Sequence, residues 1–395
     1  MLRQILQDHG HQALANMAGR VPQNVWEAAR HALELMLTCG TPAAGFVRLR
    51  CGTCGEQKVV AFTCKSRLCP SCGWLYGQRF AERVRPRLIG GRYRHLVFAV
   101  PSELRELFFW ERQLLPLVCH AAAAATLEFF QKRCKKHELV PGIIATTHTF
   151  GRDLSFHVHA HLLVTQGALQ RDGVWQPVRF FPAQEFRRRW QYHLLTLLRR
   201  QLPAEHPAQA CIDGLFQQYP TGFIVNVESV YNNVDRAIKY CCRYLARPPL
   251  GERRILEYDG EYVTFEYKDY KAGGRRGKAA PQRRHHWHAQ HLVEMLLQHV
   301  APRYARNIHY YGLYRTQVWR KWFDQVRSVS QYPQNVGGPQ TKPLSWRERI
   351  IKAFETDPVA CPSCGTSMVV VEVRGPPRRR ASSGPLQLPL PLPAG

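Results

Sequence analysis

Phe156 to Val164 reads FHVHAHLLV. Its residues alternate as in a β-strand, where successive side chains point to opposite faces. Phe156, Val158, Ala160, Leu162 and Val164 take one face, and His157, His159 and His161 take the other. An apolar underside carrying a row of imidazoles suits a metal site on a sheet, imidazole being the commonest metal ligand. Neighbouring histidines on that face lie roughly 6.6 Å apart at the backbone, near enough to share an ion, whereas His157 and His161 lie about twice as far apart. His159 is common to both pairings, and the strand leaves open whether His157 or His161 joins it. An exposed face that merely holds three histidines is the plainer alternative.

A second stretch, NNVDRAIKYCCRYLAR from Asn232 to Arg247, reads as a helix. Asn232 or Asn233 can cap its start, and Pro248-Pro249 stops it. Tyr240 and Tyr244 fall on one face, Arg236 precedes them there, and Lys239, Arg243 and Arg247 flank it. A phenol is a weak nucleophile at neutral pH. What it attacks well is a phosphodiester polarised by a metal and by neighbouring cations. Two tyrosines on an apolar helix would ordinarily be core residues, but four nearby cations make burial costly.

A His-hydrophobic-His strand followed by a Tyr-x-x-x-Tyr helix resembles the HUH superfamily of single-strand endonucleases. More closely, the chain resembles the two-tyrosine transposases of the insertion-sequence ninety-one family. The matching stretches are CKSRLCPSC (64 to 72), HTFGRDLSFHVHAHLLVT (148 to 165), YCCRYLARPP (240 to 249), VTFEYKDY (263 to 270) and HYYGLY (309 to 314), in the family's order. The resemblance implies that His159 and His161 are the HUH pair around Ala160, and that Tyr240 and Tyr244 are the nucleophiles. It implies a catalytic magnesium or manganese ion, a 5′-phosphotyrosine intermediate, and rolling-circle-like transposition. The implied partner is single-stranded DNA, in hairpin-bearing element ends and at a target site, with host replication or helicase factors supplying the unwinding. A third metal ligand stays open among His148, His157 and Glu228. His148 lies on the preceding strand, where a one-residue shift of register would turn it to the wrong face. Two rival functions are a plasmid replication initiator or relaxase of the same superfamily, and a non-catalytic zinc-dependent DNA-binding regulator.

Composition agrees with a nucleic-acid partner. Lysine and arginine number 55 against 29 acidic residues, a formal charge of +26, which calls for a polyanion. No apolar run approaches the ~20 residues of a membrane span, and MLRQILQDHGHQ lacks a signal peptide's apolar core. Nucleic acid is thus favoured over a membrane, and the expected place is the bacterial cytoplasm, with the nucleoid when DNA is bound. Thirteen cysteines, odd in number and clustered, point to reduced thiols and zinc. Cys51-x2-Cys54 and Cys69-x2-Cys72 each offer two thiolates, so these four are the expected ligands of a structural zinc, with Cys64 as alternate. Cys361 and Cys364 repeat the CPSCG knuckle of 69–73 but supply only two ligands.

The order from residue 92 is β-α-β-β-α-β-α, which suits an α+β fold: a mostly antiparallel sheet with helices on one face. The resemblance makes it a ferredoxin-like, RRM-like palm. Four segments are expected: a helical, Cys-rich zinc-binding domain over 1–90, the nuclease palm with its tyrosine helix over 91–250, a basic accessory region over 251–372, and a disordered proline- and arginine-rich tail over 373–395. The helix around Arg187, Arg188 and Arg189 is amphipathic and basic, and is expected on phosphates. HHWHAQHLVEMLLQHV (285 to 300) reads as a helix. Tyr310, Tyr311 and Tyr314, interleaved with arginines, read equally as a base-stacking platform or as a small aromatic core.

Overall fold

The computed structural model describes residues 1–89, 91–133, 139–240, 248–269, 272, 280–302, 305–318, 320–322 and 345–375. The chain begins with α1 (Leu2–Met17), α2 (Gln23–Thr38), β1 (Phe46–Arg50), β2 (Gln57–Ala61) and α3 (Pro70–Val84). Next come β3 (Tyr93–Ala99), α4 (Arg105–Trp110), α5 (Leu115–Arg133), β4 (Gly142–Phe150), β5 (Phe156–Thr165), β6 (Gly167–Leu169) and β7 (Trp175–Pro177). They are followed by α6 (Ala183–Gln201), α7 (Ala208–Gln218), β8 (Val225–Tyr231) and α8 (Val234–Tyr240). The rest comprises β9 (Ile255–Tyr258), β10 (Tyr262–Lys268), β11 (Gln282–His288), α9 (Ala289–Leu297), β12 (Ile308–Gly312), α10 (Trp346–Phe354) and β13 (Val369–Arg374).

These elements form two compact units, and both are discontinuous in sequence. One contains Met1–Leu37 with Lys65–Leu344, and the other Thr38–Cys64 with Ser345–Gly395. The division departs from the expected one. The two N-terminal helices share a unit with the palm: α1 packs on α9, and its Asp8 and His9 meet Tyr258 of β9. The burial stripe of α1, Leu2, Ile5, Leu6, Ala13, Leu14 and Met17, has the helical period that such packing requires.

The palm is a five-stranded sheet in the order β12-β4-β5-β3-β8, every neighbouring pair antiparallel. Without β12 the order is that of a ferredoxin-like βαββαβ unit, in which the first strand pairs with the third and fourth. The alternation of FHVHAHLLV directs its two faces as expected. Val158, Ala160, Leu162 and Val164 enter a core with Leu96, Phe98 and the helices α5 and α6. Ala121, Ala122 and Ala125 are fully buried, their small side chains letting α5 lie close on the strands. By length and composition the helical run Arg112–Arg133 is apolar enough to cross a membrane, but much of it is buried in this core.

The opposite face carries the histidines, and it is partly roofed. Tyr93, Ile144 and Leu163 pack there against Phe80 and Val84 of α3 and Ala237, Ile238 and Tyr240 of α8. Part of HYYGLY is strand β12, so this stretch belongs to the palm sheet and lies outside the 91–250 range expected for it. Tyr314 is fully buried, its hydroxyl 3.1 Å from that of Tyr93, which makes it a core residue. Gly312 lies at φ +57, and a Cβ there would sit 1.9 Å from the Pro141 carbonyl oxygen, so the turn after β12 admits no side chain.

QRRHHWH is strand β11, with helix starting at Ala289, where a helix from 285 was expected. Pairing with β10 outweighs local propensity there: His285 stacks on Tyr267 and His286 on Tyr262 across the ladder. The Asp259-Gly260 turn joins β9 and β10 as its composition suggests. Residues 270–271 and 273–279 of the expected basic accessory region and the 376–395 part of the expected tail lie outside the described residues.

Candidate functional site

The β4–β5 register sets His148 directly opposite His159. Cross-strand partners share a face, so His148 joins the imidazole row. His148, His159 and His161 bring one ring nitrogen each within 4.8 Å of one another. His157 sits at the outer end of the row, its Nδ1 3.2 Å from that of His159. Glu228 is an exposed residue of β8, separated from β5 by β3, and is not in the group.

Hydrogen bonding orients two of the three rings. His159 Nδ1 lies 3.0 Å from the His157 carbonyl oxygen, which can only accept, so Nδ1 carries the proton. His161 Nδ1 lies 2.9 Å from Nε2 of His95, a neighbour on β3. With both Nδ1 atoms engaged, the two Nε2 atoms face each other at 3.1 Å. Two lone pairs at that range repel unless a proton or a cation lies between them. Adjacent ligands of one ion at about 2.1 Å would be separated by about 3.0 Å at a right angle. The donor set therefore fits a divalent metal, with His95 and the His157 carbonyl as outer supports of the kind that fix ligand tautomers.

The electrostatics suit ligation as well. Burial, with the charge on His157, lowers the His159 pKa to about 4. Burial and the charges of His148 and His159 hold His161 well below its ordinary value. Burial and His159 bring His95 down to about 3. All three are neutral at neutral pH, and neutral imidazole is the form that binds metal.

Tyr240 lies on the histidine side of the sheet. Its ring centre is 4.4 Å from that of His95 and 5.0 Å from that of Tyr231. It is 2 % exposed, whereas its flanking cations were expected to keep it out of the core. Arg236 and Lys239 are exposed while Tyr240 turns inward. Positions four apart differ by about 40° around a helix, enough for the boundary of a buried stripe to pass between Arg236 and Tyr240. Asn233 is the cap, its side-chain oxygen accepting from the Arg236 amide at 2.9 Å. Tyr244, Arg243 and Arg247 lie outside the described residues.

Arg187, Arg188 and Arg189 are on α6, which packs on the face opposite the histidines. Arg189 is tied to Glu128 at 3.3 Å and is half-buried, so its part is structural, while Arg188 is exposed. They do not border the imidazole row.

The thiols group differently from the expected set. In the second unit Cys51 and Cys54 gather with Cys361 and Cys364, all four sulfurs within 4.8 Å of one another. Four thiolates complete a tetrahedral zinc, so Cys69 and Cys72 are not needed there. In the first unit Cys69 precedes α3 and Cys72 lies in its first turn, both buried. Cys64, the alternate ligand, belongs to the second unit, where its amide donates to Cys39 Sγ at 3.3 Å.

Comparison with known proteins gives this geometry a family. Residues 142–321 match a model described as a putative transposase, and residues 5–100 match one described as a transposase zinc-binding domain. The chain is 28% identical over 348 residues to the transposase for insertion sequence element IS801 of Pseudomonas savastanoi pv. phaseolicola, covering 85% of this chain and 81% of that one. It is 24% identical over 380 residues to the putative transposase y4qJ of Sinorhizobium fredii, covering 89% of this chain and 92% of that one. No solved structure matches. With both models in order along one chain, and a zinc-binding segment ahead of a histidine-faced palm, the chain belongs to the insertion-sequence ninety-one family of transposases.

Proposed function

We propose that this transposase is a metal-dependent single-strand DNA endonuclease and strand transferase working through a 5′-phosphotyrosine. The observation that carries the reading is the pair of facing Nε2 atoms on His159 and His161, each ring tied through its Nδ1, with His148 completing the trio. These three would hold the ion. Imidazole is softer than magnesium prefers, so manganese is the better fit. When bound, the metal supplies Lewis-acid polarisation of the scissile phosphate.

The chain's own residues supply the rest. Tyr240 and Tyr244 are the nucleophiles, acting in turn on donor and target strands. The phenolic oxygen bonds to phosphorus, the bond to the 3′ oxygen breaks, and the proton given up by the phenol ends on that 3′ hydroxyl. The ester energy stays in the tyrosyl link, so strand joining needs no nucleotide. Arg236 and Lys239, exposed beside Tyr240, hold the flanking phosphates, and Arg243 and Arg247, outside the described residues, are assigned the same role. Tyr240 is enclosed against His95, so α8 must lift from the sheet for its hydroxyl to meet DNA. The zinc-binding region is a structural support. The substrate is single-stranded DNA at hairpin-bearing element ends and at the target, unwound by host factors in the cytoplasm.

The test is cleavage of labelled end-derived oligonucleotides with manganese, magnesium or chelator. Nicking that survives chelation, or persists in the His159→Ala/His161→Ala variant, overturns the metal assignment.

A further inference from the structure

We propose that Cys51, Cys54, Cys361 and Cys364 form one zinc site that closes a ribbon from the two ends of the chain, with the nuclease palm inserted between its halves. Residues 5–100 alone match the zinc-binding domain, so the contribution of Cys361 and Cys364 goes beyond that match.

The two knuckles are alike in backbone as well as in sequence. In the first, the Gly55 amide donates to the Cys51 carbonyl at 3.1 Å and the Cys51 amide to the Glu56 carbonyl at 2.8 Å. In the second, Gly365 donates to Cys361 at 3.0 Å and Cys361 to Thr366 at 2.9 Å. Gly55 and Gly365 both take positive φ, +76 and +73, which a glycine adopts without strain. Each knuckle is the tip of a hairpin: β1 and β2 flank the first, and the Ala360–Ser367 bridge and β13 the second. β1 pairs with both β2 and β13, which brings the tips together. By contrast Cys69-Pro-Ser-Cys-Gly, the same pentapeptide as 361–365, opens helix α3.

The sulfurs stand where a metal would hold them. Cys51 and Cys364 are 3.5 Å apart, as are Cys54 and Cys361. A tetrahedral zinc with bonds of about 2.3 Å separates its sulfurs by about 3.8 Å. A disulfide would need about 2.05 Å. Among the described residues of this unit the buried cluster is small. It consists of Leu49, Cys51, Cys361 and Met368, and two of those four are the thiols themselves. Units this small generally depend on a metal or on disulfides.

Two readouts on the full chain test the site. The first is alkylation by iodoacetamide, mapped by mass spectrometry, before and after zinc is stripped with a chelator. Cys54 and Cys364 are exposed, so only ligation can protect them. The site predicts that both react at least tenfold faster after stripping, together with Cys51 and Cys361; equal rates before and after overturn it. The second is zinc content. Cys51→Ser/Cys54→Ser and Cys361→Ser/Cys364→Ser should each lose one equivalent, and the fourfold variant should lose that same one. A fourfold loss of two equivalents, or full zinc in the Cys361→Ser/Cys364→Ser variant, refutes a shared ion. Should a variant fail to fold, the alkylation of the unsubstituted protein decides.

Discussion

Replacing His95 by leucine tests the proposed metal centre without touching a proposed ligand. His95 is 5 % exposed and His161 9 %, and with a metal on His161 Nε2 the His95 Nε2 atom, 2.9 Å away, would accept the His161 Nδ1 proton. Leucine keeps an apolar contact for the neighbouring Tyr240 ring but removes that acceptor. A buried donor left without a partner costs about 1–3 kcal/mol. At about 1.4 kcal/mol per decade, and with outer supports typically worth ~10- to 100-fold in affinity, the manganese dissociation constant should rise about 10- to 100-fold. His95→Gln returns a side-chain carbonyl acceptor and should recover most of the loss. The assay is manganese titration followed by electron paramagnetic resonance, with near-UV circular dichroism confirming the fold. A folded leucine variant that binds manganese within threefold of the parent would show that His95 does not fix the His161 tautomer.

Three further outcomes follow from particular residues. Gly312→Ala meets both a positive φ and the Pro141 carbonyl, so it should cost about 2–4 kcal/mol in denaturant unfolding; a cost under about 0.5 kcal/mol would mean that the turn relaxes freely. Burial lowers the His299 pKa to about 3, its ring lying between Thr149 and the Leu154 carbonyl. The unfolded chain then binds a proton that the folded one refuses, so stability is intact above about pH 6.5 and falls as the pH drops toward the folded value, by about 3 kcal/mol at pH 4. His299→Gln should flatten this acid limb, and an unchanged slope would exclude the residue as its source. Arg188→Ala, on the face away from the histidines, should leave nicking within twofold, while Arg236→Ala/Lys239→Ala should raise the KM for oligonucleotide about tenfold and reduce its salt dependence. The reverse ranking would place the DNA on α6.

Much of the palm was legible because its signals are local. Period-two alternation in FHVHAHLLV fixed which residues face the core, and turn chemistry at Asp259-Gly260 fixed a hairpin. What depends on distant pairing was not. His148 joins the histidines through a strand register that a single sequence does not specify. Cys361 and Cys364 reach Cys51 and Cys54 across more than 300 residues, while the nearer Cys69 and Cys72 had the more familiar spacing. The buried Tyr240 was hidden for another reason: charge on a helix reads as exposure of the whole face, although exposed cations and a buried ring can lie about 40° apart.

The central claim is that Tyr240 and Tyr244 become joined to DNA at the proposed imidazole-held metal. The direct measurement is a denaturing gel of the full chain incubated with manganese and an end-derived oligonucleotide labelled on the 3′ side of the cut, followed by mapping of the adduct peptide. The account predicts a metal-dependent covalent band on a peptide containing Tyr240 or Tyr244, lost in Tyr240→Phe/Tyr244→Phe. An adduct that survives that double substitution, or maps to any other residue, would contradict it.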